Sequence, residues 1–202
     1  MSTAASPFDR AGAREQKRQR TRARLYGEAL AEFSRVGFGA ASVAEIARAA
    51  GVSRPAFYFH FPTKEHVLLE LQWHHERSLV DTLDGCETLA DTLMTLADEV
   101  VTGLESIEGP GLARDMMLIY ARRPEWLPLD EQPYPLARLI EKRFVESAAR
   151  GELRQGLDPA TAPLLALTAM FGYLIASPET PDRRRDLRTM FSLYLRDQTT
   201  AA

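Results

Sequence analysis

The sequence predicts an all-helical protein in two parts, an N-terminal three-helix helix-turn-helix domain and a larger helical body, about nine helices in all. Apolar residues recur at helical spacing along most of the chain, as in Leu25, Ala29, Leu30, Phe33 and Val36, or Leu89, Leu93, Leu96, Val100 and Leu104. Glycine and proline stand where those stripes stop, at Gly37, Gly51, Gly85, Gly109 and Gly151. Charge is divided as well: residues 1–66 hold 11 Lys or Arg and 6 Asp or Glu, a balance of +5, whereas residues 67–202 hold 14 and 22, a balance of −8. A basic reader on an acidic body fits nucleic-acid binding better than the overall pI near 5.9 suggests.

Residues 42–64, SVAEIARAAGVSRPAFYFHFPTK, organise the chain. Ser42 and Glu45 have the spacing of a capping box, in which each side chain satisfies a backbone N–H of the first turn. Val43, Ile46, Ala47 and Ala50 give a small apolar face, and Gly51 supplies the left-handed stop. Ser53 is placed to cap a second helix, with Pro55 in its first turn, where no intrahelical N–H is lost. Phe57 and Phe61 then share the inner face. Arg54, Pro55, Tyr58 and Phe59 point outward, with Ala56 and His60 at the edges. FYFHF holds more aromatic surface than one inner face buries, which favours a contact surface over a plain helical hairpin.

A helix about 10–12 Å across fits the major groove of B-DNA, which is about 12 Å wide. Side chains near the start of the second helix reach base edges there. Arg54 can bind guanine O6 and N7 with two bonds. Tyr58 and His60 suit phosphate oxygens, which position the protein without reading sequence. Arg14, Lys17, Arg18, Arg20, Arg22 and Arg24 form a basic run ahead of this stretch, suited to the DNA backbone.

GVSRPAFYFHFPTKEHVL resembles the signature of TetR-family transcriptional regulators, in which a Tyr–x–His–Phe recognition helix runs into a helix opened by Lys. Those residues are Tyr58, His60, Phe61 and Lys64, and the likeness covers about residues 20–70. Ala56 stands where the family often has Thr, which removes a hydroxyl contact, and Pro55 where it often has Gly; both departures bear on the operator sequence and not on the docking mode. The resemblance implies DNA contacts from Arg20, Ser42, Ser53, Arg54, Pro55, Ala56, Tyr58, Phe59, His60 and Lys64. It implies an effector pocket between helices 4 to 8, with Trp73, Met94, Met116, Met117, Tyr120, Trp126, Phe144 and Phe171 as candidate lining. It also implies a dimer through the last two helices, with Ala162, Ala166, Ala169, Tyr173, Leu187, Phe191 and Tyr194 at the interface.

In order, residues 1–13 are rich in Ala, Ser, Pro and Gly and are expected to be a disordered tail. Residues 14–63 make the DNA-binding domain, with Leu25, Phe33, Ile46, Val52, Phe57 and Phe61 as its core. Residues 64–202 make the ligand-binding and dimerisation domain. Helix 4 is expected over 64–84, capped by Thr63 and long enough to connect both parts. Helix 5 carries the stripe from Leu89 to Ile107, and helix 6 covers 112–122. Four prolines make 124–135 an irregular connection, after which helix 7 starts near Pro135. Asp158 is expected to cap helix 8, over 159–177, which is apolar nearly all round and so calls for cover on every side. Helix 9 is expected over 182–197.

No Gly-rich phosphate loop, nucleophile elbow or metal-ligand spacing appears, so no enzyme and no cofactor is expected. His74 and His75 are adjacent, about 100° apart on a helix, which suits no metal pair. Cys86 is the only cysteine, and no apolar run reaches the ~18 residues of a membrane span; a cytoplasmic location is expected. The function expected is a homodimeric repressor of an inverted-repeat operator, released by a small, lipophilic effector. The alternative is a ligand-independent DNA-binding protein with an architectural or regulatory role.

Overall fold

The computed structural model describes residues 7–109, 111–122, 135–176 and 182–196. Among them are nine α-helices: α1 (Pro7–Val36), α2 (Val43–Ala49), α3 (Arg54–His60), α4 (Glu65–Asp84), α5 (Leu89–Glu105), α6 (Leu112–Ala121), α7 (Pro135–Arg150), α8 (Ala162–Ala176) and α9 (Arg183–Ser192). They fall into two compact units. The first holds the described residues up to Glu70 together with those of Glu108–Leu112, and the second holds Leu71–Ile107 and the described residues from Ala113 onward. The division comes later than the expected 63/64 boundary. Val67, Leu68 and Leu69 at the start of α4 are buried, and Glu70 takes the Arg22 guanidinium at 2.5 Å.

In the first unit, α1 starts at Pro7, inside the 1–13 stretch expected as a tail. Proline suits the first helical position. Ala, Arg, Glu, Gln and Lys dominate the turns that follow and are strong helix formers. Arg18 and Gln19 reach back to Glu15 at 2.8 and 3.1 Å. The helix stops at Gly37, with φ 80°. α2 ends in a Schellman motif: Val52 N–H bonds the Ala47 carbonyl at 2.9 Å and Gly51 N–H bonds that of Arg48 at 3.0 Å, with Gly51 at φ 62°. α2 packs on α1 and α3 on α2, around fully buried Leu25, Ala29, Phe33, Ile46, Phe57 and Phe61. Val52, expected in that core, is half-buried.

The expected capping box does not form. Ser42 occupies the N-cap with extended backbone, but its side chain makes no cap bond, and Glu45 turns forward to Arg48 at 2.5 Å. Ser53 also stands at an N-cap without a side-chain bond. Gly109 closes the unit from the far side. A Cβ there would lie 2.7 Å from Ser34 Cα, and the Glu108 carbonyl accepts from the Ser34 hydroxyl at 2.7 Å.

In the second unit α5 packs on α7 and α9, and α8 on α7 and α9. A side-chain N-cap does open α5: Thr88 Oγ1 accepts from Asp91 N–H at 3.0 Å and donates to the Asp91 carboxylate at 2.7 Å. α8 begins at Ala162, later than expected. Asp158 caps the turn before it, accepting from Ala160 N–H at 3.0 Å. α9 stops at Ser192, short of the expected 197, because the chain beyond pairs elsewhere. Leu153 and Leu195 form an isolated antiparallel bridge, with Arg154 N–H on the Tyr194 carbonyl and Arg196 N–H on that of Glu152, both at 3.0 Å. No described helix is long and apolar enough to cross a membrane.

Candidate nucleic-acid interface and effector cavity

α3 is seven residues long and arranges its side chains in rows four apart. Phe57 and Phe61 form the buried row, their rings 5.7 Å apart. Ala56 and His60 are half-buried beside it. Arg54, Pro55, Tyr58 and Phe59 are exposed, the outward set expected from the spacing. Arg54 is held in place: its guanidinium donates to the Tyr58 hydroxyl at 3.4 Å and lies 5.8 Å from that ring's centroid. Ser53, at the helix start, is exposed, and Ser42 is half-buried. Arg20 is exposed on α1.

Two of the residues expected to contact DNA have surroundings that the sequence did not predict. Lys64 directs its ammonium into the first unit, donating to the carbonyls of Phe38, Gly39 and Ala41 at 2.6, 3.2 and 3.3 Å. It also lies 4.6 Å from the Phe38 ring centroid. An ammonium has three donors, and all three are occupied in latching the α1–α2 loop. Burial, then the nearby Arg18 and Arg22 charges, push the His60 pKa down. In the free protein this favours the neutral imidazole, which has one N–H to donate.

The second unit contains two neighbouring cavities of about 310 and 410 Å³. Leu79, Val100, Leu104, Met116, Met117 and Met170 give the smaller one its apolar wall, and Gln72, His75, Thr102 and Ser106 its polar groups. Tyr120, Leu136, Pro163, Leu164 and Leu167 line the larger. Glu76, Leu136 and Phe171 border both. Of the expected lining, Met116, Met117, Tyr120 and Phe171 are present, with the Tyr120 and Phe171 rings 5.7 Å apart. Trp73 is not: it is exposed, with the Arg77 guanidinium 4.9 Å from its ring centroid. Met94 borders neither cavity, and Phe144 is fully buried in the core, edge-on to Tyr194 at 5.7 Å. Trp126 lies outside the described residues.

Glu76 is a lining residue that the sequence reading missed. It is buried and accepts from the Tyr120 hydroxyl and from Leu136 N–H, each at 3.2 Å. Leu136 is the second residue of α7, so the carboxylate meets the positive end of that helix, which makes a buried acid tolerable. An acid flanked by stripe residues of helix 4 was the one signal for it. Burial, then the charge of His74, push the pKa of neighbouring His75 down.

The expected dimer residues divide. Ala162, Ala166, Leu187 and Phe191 are buried inside the chain itself. α9 lies against α5, held at the surface by Arg188 on Asp98 and by Arg184 on Glu105 at 2.6 Å. Tyr173 is half-buried and donates to Asp186 at 2.7 Å, while Tyr194 lies past the end of α9. Ala169 is exposed, in a stripe of α8 with Leu164, Leu165, Thr168 and Gly172. The single chain therefore leaves one side of α8 uncovered: Leu164 and Leu165 are 66% and 57% exposed.

Residues 25–71 match the family described as bacterial regulatory proteins, tetR family. The HTH-type transcriptional regulator AcrR of Shigella flexneri is 32% identical over 116 residues, 56% of this chain and 54% of that protein. The regulator EthR of Mycolicibacterium smegmatis is 59% identical over 34 residues, 17% of this chain and 16% of that protein. The chain thus spans about half the length of the first relative and a smaller share of the second. Among solved structures, the TetR-family protein CprB from S. coelicolor A3(2) superposes with a TM-score of 0.61 at 24% identity, over 92% of this chain and 93% of that one.

Proposed function

We propose that this chain, which belongs to the TetR family of transcriptional regulators, works as a homodimeric repressor that leaves its operator when a small molecule fills the second unit. α3 enters the major groove with Arg54 toward guanine and Tyr58 toward phosphate, and the exposed face of α1 tracks the backbone through Arg20. The exposed stripe of α8 joins two copies, so the operator is an inverted repeat with half-sites spaced by a helical turn or a multiple of it. The effector is lipophilic, because apolar side chains make most of the smaller cavity's wall.

One observation carries the switching part. α4 is a single continuous helix with residues in both compact units, and its Gln72, His75, Glu76 and Leu79 line the smaller cavity. A molecule that binds one setting of that wall better than another biases α4, and only such a difference shifts the equilibrium. A coupling of ~1–3 kcal/mol weakens operator binding about 5–150-fold, and operator weakens effector binding by the same factor. The experiment is a thermal-shift screen with lipophilic compounds, followed by titration of a hit with and without saturating operator. Reciprocal weakening supports the reading. An affinity that DNA leaves unchanged rejects it in favour of a ligand-independent DNA-binding protein.

A further inference from the structure

α3 carries apolar surface that packing does not explain. Phe59 is 73% exposed, more than any other large hydrophobic side chain among the described residues. Pro55 stands four positions earlier, is exposed too, and shares its row. The phenyl ring is braced edge-on by His60, with centroids 5.1 Å apart. Beside this row runs the polar one of Arg54 and Tyr58. Arg18 and Arg22 are close enough to α3 for their charge to depress the His60 pKa, although burial contributes more. A two-residue patch beside the Arg54 guanidinium is small and poorly matched to an apolar protein surface. Its occupant is anionic overall and presents a compact apolar group next to hydrogen-bond acceptors. In the major groove the base edges offer one such group, the C5-methyl of thymine.

We propose that Phe59, with Pro55 beside it, is a specificity-determining residue that reads a thymine methyl in each half-site. This rests on the DNA-binding reading above and adds base identity to it: the polar row reads guanine and the apolar row reads thymine. Phe59 is a side chain with no polar atom, so it cannot substitute for a phosphate contact, and its contribution depends on sequence.

The test uses the full-length protein and a duplex that it selects from a random-sequence pool. Each thymine is replaced singly by deoxyuridine, which removes only the methyl group. One thymine per half-site is expected to weaken binding about fourfold when replaced, the equivalent of one buried methyl-sized group. Phe59→Ala should bind the thymine and uracil duplexes alike, Phe59→Leu should keep part of the difference, and Arg54→Ala should keep all of it. The proposal is overturned if no single replacement lowers affinity, or if the difference persists in Phe59→Ala. Failure of the wild-type protein to select any duplex would overturn the DNA-binding reading, and this proposal with it.

Discussion

Replacing Lys64 with Met distinguishes a latch from a phosphate contact. The substitution keeps most of the apolar stem and removes only the ammonium. Three carbonyl oxygens lose a donor, and that of Phe38 keeps only the Ala41 N–H at 3.4 Å. Those of Phe38 and Ala41 are part-buried, whereas that of Gly39 is exposed and rehydrates readily. A hydrogen bond to a charged group contributes about 1.5–3 kcal/mol, and one buried acceptor left unpaired costs about 1–3 kcal/mol. The three bonds share one cation and are not additive, and the cation–π contact with Phe38 adds about 0.5–1 kcal/mol. The expected loss is therefore about 2–4 kcal/mol from the first unit, a large share of a typical domain's stability. Urea titration with hydrogen-exchange protection of the α2 and α3 amides reads it directly. A protection midpoint within about 0.5 kcal/mol of wild type, with weakened binding to operator and random DNA alike, would refute the latch and restore Lys64 as a backbone contact.

Other perturbations separate the remaining roles. Arg54→Ala should cost about 1–3 kcal/mol on the operator and relax preference at one base pair, measured by competition with single-base variants; equal loss on random DNA would remove its reading role. Leu165→Glu should give a folded monomer by sedimentation, whereas Phe191→Glu, which puts a charge where the chain is already closed, should unfold the second unit. A folded monomer from Phe191→Glu would reverse that assignment. Burial holds the pKa values of His60, His66 and His75 below the ordinary imidazole value. As pH falls through about 6.5 the unfolded chain takes up protons that the folded chain does not, so stability present at pH 7.5 is lost toward pH 5.5. A urea midpoint that stays flat over that range would contradict it.

The reading head was legible because its determinants are local. Gly51 must take a left-handed backbone, and Phe57 and Phe61 meet one turn apart whatever surrounds them. What was hidden depends on partners distant in sequence. The carbonyls that Lys64 latches lie 23 to 26 residues earlier, and the α7 N–H that Glu76 accepts lies 60 residues later. Helical spacing makes Phe144 and Phe171 look alike, yet one fills the core and the other faces a cavity. α8 is apolar all round, so its pattern names no inward face. Packing within the chain turned Ala162 and Ala166 inward and left Leu164 and Leu165 uncovered. The end of α9 was overextended because backbone pairing with residues 152–154 leaves no trace in the apolar period.

In the proposed function, α3 reads an inverted repeat as one half of a two-fold pair. The most direct measurement is to sequence the DNA that the purified protein retains from a random pool at physiological salt. The expected result is an enriched inverted repeat whose half-sites each contain a guanine and a thymine, with preference at the guanine lost in Arg54→Ala. Retention of DNA without any enriched sequence, or enrichment of a single unrepeated site, would contradict it.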